Sequence, residues 1–544
     1  MVPPSAFHLP EIRNYIAEHL SKKELLACCR VSRDWHSSFL PHLWRTVDFS
    51  GAGPIFSNSD RPDPRVANIR RLTYNYSTFE GLMPTQGYTR LQELQVLRES
   101  VVMEQKLAQT GSKGGCAVDR WHLAAALVHS LAFGPLSSVE LTSIDKASTE
   151  FWEALSQCRT LKSFRLENVC IPMGGAGPAF WKICRSVETL TVILCEAMDC
   201  LLIHNRMFRL KHLVVDRSEV QGQLDEWDKL AKPWICSPNL ESLEYSHSCT
   251  SNGEDEFHQM ALDIKAAIAA AAGGINHYAP SSGQGTDGDD ENMEQYSGVI
   301  PGRKLHSLET DNYGIRDEDL GFIIDNMDTL RKLCVPWVDL NALALEALGR
   351  HRHTIVELDL QCDGINSSHL LNTVMSCTQL RVLTLSNIPP VALLESEPWT
   401  CLQLKRLALG FQRLGTDMDH QQGAKITCES RAVWQRISRL IELEHVDMHR
   451  LRGWGPGFRP GFTLASGMEQ LSTLTKLRCI YIDLVKMATS DAEWMVGAWP
   501  RLEVVRGQNL PCDHARIDAE VVKVLKDRGI LVEVRGVDST FTSI

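Results

Sequence analysis

Between residues 305 and 409 one pattern of apolar and polar positions returns five times. Each copy is an apolar residue, two others, an apolar residue, one other, and a last residue that is usually apolar. The copies read Leu305-Leu308-Thr310, Leu330-Leu333-Val335, Ile355-Leu358-Leu360, Leu380-Leu383-Leu385 and Leu404-Leu407-Leu409, and their first residues lie 25, 25, 25 and 24 positions apart. The fourth and sixth residues of a copy alternate, so they share one face of a strand. Apolar residues then return at helical spacing: Leu320, Ile323, Ile324 and Met327 after the first copy, Leu343, Leu345 and Leu348 after the second, Leu370, Leu371 and Val374 after the third. Each unit is predicted as strand, turn, helix. A unit this short cannot cover both its faces alone. Stacking covers them, with parallel strands on a concave side and helices on the convex side.

A repeat of this length and pattern resembles the leucine-rich repeat. Ile315-Arg-Asp-Glu-Asp-Leu320 and Cys377-Thr-Gln-Leu380 are similar to the turn and strand entry of its cysteine-containing subclass. Further copies are expected on either side. They begin irregularly at Ile69, Leu91 and Leu136, stack regularly at Leu161, Val187, Leu210 and Leu240, and return with a stretched period at Leu443, Leu477 and Leu502. Loops are expected at 107–119, around 410–430 and at 450–466, and a last helix and strand close the end at 521–534. The stretch 249–303 breaks the series. Its Ser281–Asn292 tract is Gly-, Ser- and Asp-rich and cannot bury enough apolar surface to order itself, so it is expected to be a disordered acidic and Gly-rich insertion.

The N-terminal residues follow a different rule. Pro10 stands at a tolerated first-turn position of a helix lined by Ile12, Ile16 and Leu20. Ser21-Lys-Lys-Glu24 is a capping box for a second helix carrying Leu25, Leu26, Cys28 and Cys29. Val31-Ser32-Arg33-Asp34-Trp35 leads a third segment that ends in Leu43-Trp44-Arg45. Three short helices in ~40 residues make a small core that leans on something else. The whole stretch 9–49 resembles an F-box. It departs from the usual pattern where Glu11-Ile12 follows Pro10 directly and where Cys28 and Cys29 replace aliphatics.

The expected organisation is a lead at 1–8, the F-box at 9–49, repeats at 65–248, the insertion at 249–303, and repeats with a terminal cap at 304–544. The fold class is α/β, a leucine-rich-repeat solenoid preceded by a small three-helix F-box. The combination resembles fungal-type F-box/leucine-rich-repeat substrate receptors of SCF (cullin–RING) ubiquitin ligases. That resemblance implies docking on the SCF adaptor subunit through Leu9, Pro10, Ile12, Ile16, Leu25, Leu26 and Val31, some of which must instead be internal core. Trp35 is expected to pack the third segment against the first two. The competing reading is an interaction scaffold whose N-terminal helices only cap the solenoid.

Net charge is −11, which argues against a nucleic-acid binder relying on overall positive charge. The 17 cysteines include no Cys-x-x-Cys pair, and no signal segment or bilayer-length apolar run is read, so thiols in a cytoplasmic or nuclear setting are expected. No catalytic constellation is found, and neither a cofactor nor a metal is expected. Gly174-Gly-Ala-Gly177 lacks the Lys-Ser/Thr end of a phosphate loop, and Asp287-Gly-Asp-Asp-Glu291 lacks the alternating ligands of a calcium loop. His445 and His449 lie four apart on a predicted strand, about 13 Å and too far to share a metal. His351 and His353 are expected to face solvent.

The target protein is expected on the concave face, at Glu309, Asp311, Trp337, Glu357, Asp359, His445, Asp447, Tyr481, Asp483 and Arg506, with Lys332, Arg406 and His449 nearby. This stripe is more acidic than basic and favours a partner with a basic segment. It holds no basic cluster that would suit a polyanionic ligand.

Overall fold

Leu308, Leu333, Leu358, Leu383 and Leu407, the fourth residues of the five regular copies, stand opposite one another in one parallel register. Each is at most 1% exposed, so each contributes roughly 1.5–3 kcal/mol of burial. This computed structural model describes residues 9–49, 65–75, 88–97, 124–129, 131, 134–144, 147–171, 176–195, 207–216, 237, 239–246, 261, 303–310, 315–335, 340–361, 367–411, 422–448, 462–482, 487–508 and 518–535. The expected loop at 107–119 lies outside these residues, as does the insertion 249–303 apart from Ala261 and Arg303.

The chain forms two units, residues 1–240 and 241–544. The first opens with helices α1 (Pro10–His19), α2 (Lys22–Cys29) and α3 (Arg33–Leu43). Strands β1 (Thr46–Phe49), β2 (Arg71–Asn75), β3 (Glu93–Leu97), β4 (Ser138–Thr142), β5 (Ser163–Glu167), β6 (Thr189–Ile193) and β7 (His212–Asp216) follow, each paired parallel with the next. Between them α4 (Thr149–Ser156) and α5 (Gly177–Ser186) pack Trp152 and Phe180 against Phe164 of β5, with Phe151 edge-on to Trp152 and Trp152 edge-on to Phe180 at 5.2 Å.

The second unit carries β8 (Ser242–Ser246), β9 (Ser307–Thr310), β10 (Lys332–Val335), β11 (Glu357–Gln361), β12 (Val382–Ile388), β13 (Arg406–Phe411), β14 (His445–Asp447), β15 (Cys479–Ile482), β16 (Val504–Gln508) and β17 (Leu531–Arg535). All are parallel and paired in sequence order. Among their crossovers are α6 (Asp317–Asp325), α7 (Ala342–Arg350), α8 (Ser367–Met375), α9 (Pro390–Glu395), α10 (Gln422–Ile437), α11 (Thr489–Ala498) and α12 (Ala519–Asp527).

The reason for the Ile-x-Asp turn is visible here. Asp317 accepts hydrogen bonds from the backbone N–H groups of Asn341 (2.7 Å), Leu343 (3.2 Å) and Ala344 (3.2 Å), so it caps the helix of the following repeat. The close approach needs Gly321. A Cβ there would lie 2.9 Å from the Leu343 carbonyl carbon and 3.0 Å from the Ala344 nitrogen.

Four expectations change. Residues 46–49, placed inside the three-helix F-box with no strand assigned to them, form β1. The backbone N–H groups of Arg70 and Arg71 both donate to the Arg45 carbonyl, and Val47 is 4% exposed. Residues 422–430, read as loop, are the first turns of α10, drawn into helix by Val433, Trp434 and Ile437 buried at its end. Leu343 is exposed, and the buried side of α7 is formed instead by Ala344, Leu345, Ala347 and Leu348. His351, expected to face solvent, is buried. Its Nδ1 accepts from the Leu330 N–H at 3.3 Å and its Nε2 donates to the Ile324 carbonyl at 3.0 Å, joining the turns of two repeats.

Ten cysteines of the described residues are free thiols, and six of these are buried. Burial pushes Cys377 up to about 12 and Cys401 up to about 11, so at neutral pH they are thiols packed as small apolar groups. Iodoacetamide at pH 8 is expected to label exposed Cys170 on the folded chain and to leave Cys377 and Cys401 untouched until denaturant is added. Peptide mass spectrometry reads the difference.

Candidate functional site

The three N-terminal helices own a core. Ala17, Leu25 and Phe39 are buried together, with Ile16, Leu20, Cys28, Cys29, Trp35 and Leu43 partly buried against them. Local chemistry sets each helix start. Pro10 opens α1 after an extended Leu9. The Ser21 N–H donates to Glu24 Oε2 at 2.7 Å while the Glu24 N–H donates back to Ser21 Oγ, the capping box read from sequence. Ser32 Oγ accepts from the Trp35 N–H at 3.1 Å and starts α3, where Trp35 lies against Phe39 with ring centroids 5.2 Å apart.

One buried cation ties α1 to α3. Arg13 is 3% exposed; it donates to Ser38 Oγ at 3.0 Å and pairs with Asp34 at 2.5 Å. Apolar periodicity gave no sign of it, because Arg13 stands between Ile12 and Ile16 on the side that meets α3. On α3, burial together with Arg45 and Arg70 holds His42 below its ordinary range, with Glu18 opposing. Arg13→Ala is expected to lower protection of α1–α3 amides in hydrogen exchange by about 2 kcal/mol, and Arg13→Met by less, since Met keeps the packed stem. The Asp34 carboxylate left behind is already largely in water, which keeps the loss below that of a fully buried pair.

The same folding exposes other apolar side chains. Of nine large apolar residues exposed among the described residues, four lie on this module: Leu9 (48%), Tyr15 (67%), Leu26 (46%) and Val31 (62%). Leu9, Leu26 and Val31 were expected to face a partner. Leu25 was too, but at 4% exposure it is internal core, because α2 turns that side toward Phe39. Ile12 and Ile16 are half-buried, and nothing is described of the Pro10 side chain. Tyr15 escaped the sequence reading. It lies off the Ile12–Ile16 face and rests edge-on against His19 at 4.9 Å.

The open face of the second unit, opposite the buried leucines, is built by register. One row runs Glu244, Glu309, Cys334, Asp359, Thr384, Ala408, Asp447, Tyr481, Arg506 and Glu533. The row beside it includes Lys332, Glu357, Arg406, His445 and Cys479. Thus Glu309, Glu357, Asp359, His445, Asp447, Tyr481 and Arg506 do share one face. Asp311, Trp337, Asp483 and His449 lie outside the described residues.

Two candidates are corrected. Asp359 and Tyr481 are each only 9% exposed, shielded by their neighbours in the row, so they do not stand free for contact. Lys332 bridges Glu309 (2.6 Å) and Glu357 (3.7 Å), and Arg506 holds Glu533 at 2.8 Å. Burial works against the Lys332 ammonium, yet the Glu309 hydrogen bond, with Cys334 and Glu357 nearby, outweighs it and raises the pKa. Burial, then Arg406, hold His445 below the ordinary imidazole range. Across the two rows six carboxylates face three cations. Among the described residues no group of His, Cys, Asp and Glu is arranged to hold a metal, and no helix is long and apolar enough to cross a membrane.

Comparison with known proteins agrees with the N-terminal geometry. Residues 10–50 match the F-box-like family. An F-box-like module is an interaction module and not a catalytic one. No curated protein matches the chain. Among solved structures, the chain is similar to the TLR13 chain of a TLR13–ssRNA13 complex, at 12% identity and a TM-score of 0.36, covering 90% of this chain and 63% of that one. It thus spans less than two thirds of the length of that protein. It is also similar to a chain of the yeast Rad7–Elc1 complex, at 11% identity and a TM-score of 0.30, covering 96% of this chain and 91% of that one. At these TM-scores neither likeness bears on function.

Proposed function

We propose that this chain is the substrate-recognition subunit of an SCF ubiquitin ligase, working in the cytoplasm or nucleus of a fungal-type cell. The observation that carries this reading is the N-terminal module: an F-box-like match whose helices have their own core and still expose Leu9, Tyr15, Leu26 and Val31. A purely structural cap would bury these side chains. The module docks on the SCF adaptor subunit, and the repeats hold a target protein. The contribution to rate is proximity, because a tethered target lysine meets the ubiquitin thioester at raised effective concentration. No catalytic side chain is needed. The excess of carboxylates on the open face of the second unit supports a target with a basic segment. The test is co-purification of the intact chain with the adaptor; an intact chain that ignores the adaptor refutes the assignment.

β1 favours one addition to this reading. It pairs with β2, so residues 46–49 also close one end of the strand series in the first unit. Docking belongs to the helices, and capping to the strand behind them.

A further inference from the structure

The turns leading from helix to strand form a rim at the strand-entry edge of the second unit. Its residues are stacked by backbone bonds: Arg331 N–H to His306 O, Val356 to Arg331, Arg381 to Val356 and Lys405 to Arg381, each 2.8 Å, then Glu444 to Lys405 at 2.9 Å. Neighbouring rim residues are therefore one strand spacing apart, about 4.8 Å. Acids on this rim are matched: Asp328 with Arg303, Glu442 with Lys476, Glu444 with Lys405, and Glu503 with Arg478. Arg331 and Arg381 are left exposed and make no ion pair among the described residues, and the same holds for Arg352 and Arg439. The last two follow the C-termini of α7 and α10, where the carbonyl ends of a helix favour a cation. Arg331 and Arg381 stand at strand entries and have no such reason to be there.

Two aliphatic side chains share this edge. Leu402 and Ile441 are each 53% exposed and occupy equivalent turn positions, two residues before Leu404 and Leu443, in adjacent repeats. The rim thus combines unpaired arginines with exposed apolar groups, and its sign is opposite to that of the open face.

We propose that this rim, centred on Arg331, Arg381, Leu402 and Ile441, docks an acidic protein segment that carries an apolar side chain. Guanidinium groups take carboxylates in bidentate geometry, and the aliphatic pair supplies the dry contact that makes such pairing count. A nucleic acid fits less well. Exposed Leu402 and Ile441 give a phosphate backbone nothing to bind, and the chain as a whole is at −11. The proposal does not depend on adaptor docking, which uses the other unit.

The test selects binders of the full chain from a displayed random dodecapeptide library, then measures the best peptide by fluorescence anisotropy. Enrichment of Asp and Glu around an apolar residue is expected. R331E/R381E should weaken that peptide about tenfold or more, and L402S/I441S severalfold. Binding should also fall with added salt. These are exposed positions, so thermal unfolding should be unchanged; if the charge reversal perturbs it, R331Q/R381Q gives the same reading. Selected peptides that lack acidic residues, or that bind R331E/R381E as well as the parent, overturn the proposal. So does a thymidine oligonucleotide that binds more tightly than the peptide and is lost in the same variants.

Discussion

Replacing Leu26 and Val31 together by glutamate is expected to lower affinity for the SCF adaptor about 100-fold while leaving the chain folded. Both side chains are largely in solvent, at 46% and 62% exposure, so their loss removes no internal packing. Substitutions of that kind usually stay within about 0.5 kcal/mol of the parent. In an interface the same positions are desolvated, and a buried unpaired carboxylate there is costly. The neighbouring residue supplies the contrast. Leu25→Ala opens a cavity against Ala17 and Phe39 and should destabilise the module by about 2–4 kcal/mol. Its adaptor binding should recover on cooling or added osmolyte, whereas that of the glutamate variant should not. Adaptor binding by titration calorimetry, alongside circular-dichroism melting, separates the two. Undiminished binding by L26E/V31E would remove the docking assignment from this face.

Truncation is expected to show a sharp boundary between residues 43 and 50. Removing 1–43 takes away α1–α3 and their self-contained core, so the repeats of the first unit should melt within a few degrees of the parent. Removing 1–50 also takes β1. It uncovers the β2 edge, deletes Val47 and leaves the N–H groups of Arg70 and Arg71 without their shared acceptor, Arg45 O. Lost burial and two lost backbone bonds together cost about 3–5 kcal/mol, with a free strand edge that invites association. Melting temperature and light scattering on the two truncations read both effects. Equal behaviour would mean that β1 does not close the series, and a collapse of the shorter truncation would revive the helices as a cap.

Much of the architecture was legible because it is written in local periods. The alternation of Leu308 with Thr310, or Leu358 with Leu360, is a strand signal, and 25-residue recurrence lets one such strand predict the register of the next. Capping by Ser21 and Glu24 was equally local. β1 was missed because Thr46–Phe49 follows a helical segment without a full repeat around it, and only pairing with β2 makes it a strand. α10 was missed because its first residues, Gln422-Gly-Ala-Lys-Ile-Thr-Cys-Glu-Ser430, carry no clear apolar period, and only Val433, Trp434 and Ile437 after them do.

The sequence by itself determined a stack of strand–helix units behind three short helices, since period and turn chemistry act over a few residues. Which apolar residues face a partner was a tertiary decision: Leu25 and Leu26 are adjacent and chemically identical, and only Phe39 across the helix contact sends one inside. The same holds for polar groups. Arg13 and His351 are buried because acceptors 21 to 27 residues away in sequence, on Asp34, Ser38 and Ile324, come within hydrogen-bond reach. Arg331 and Arg381 lie 50 positions apart in the sequence, yet the parallel register sets them two strands apart on one rim. Long-range proximity of this kind has no local signature, because it depends on where the backbone returns and not on what precedes or follows a residue.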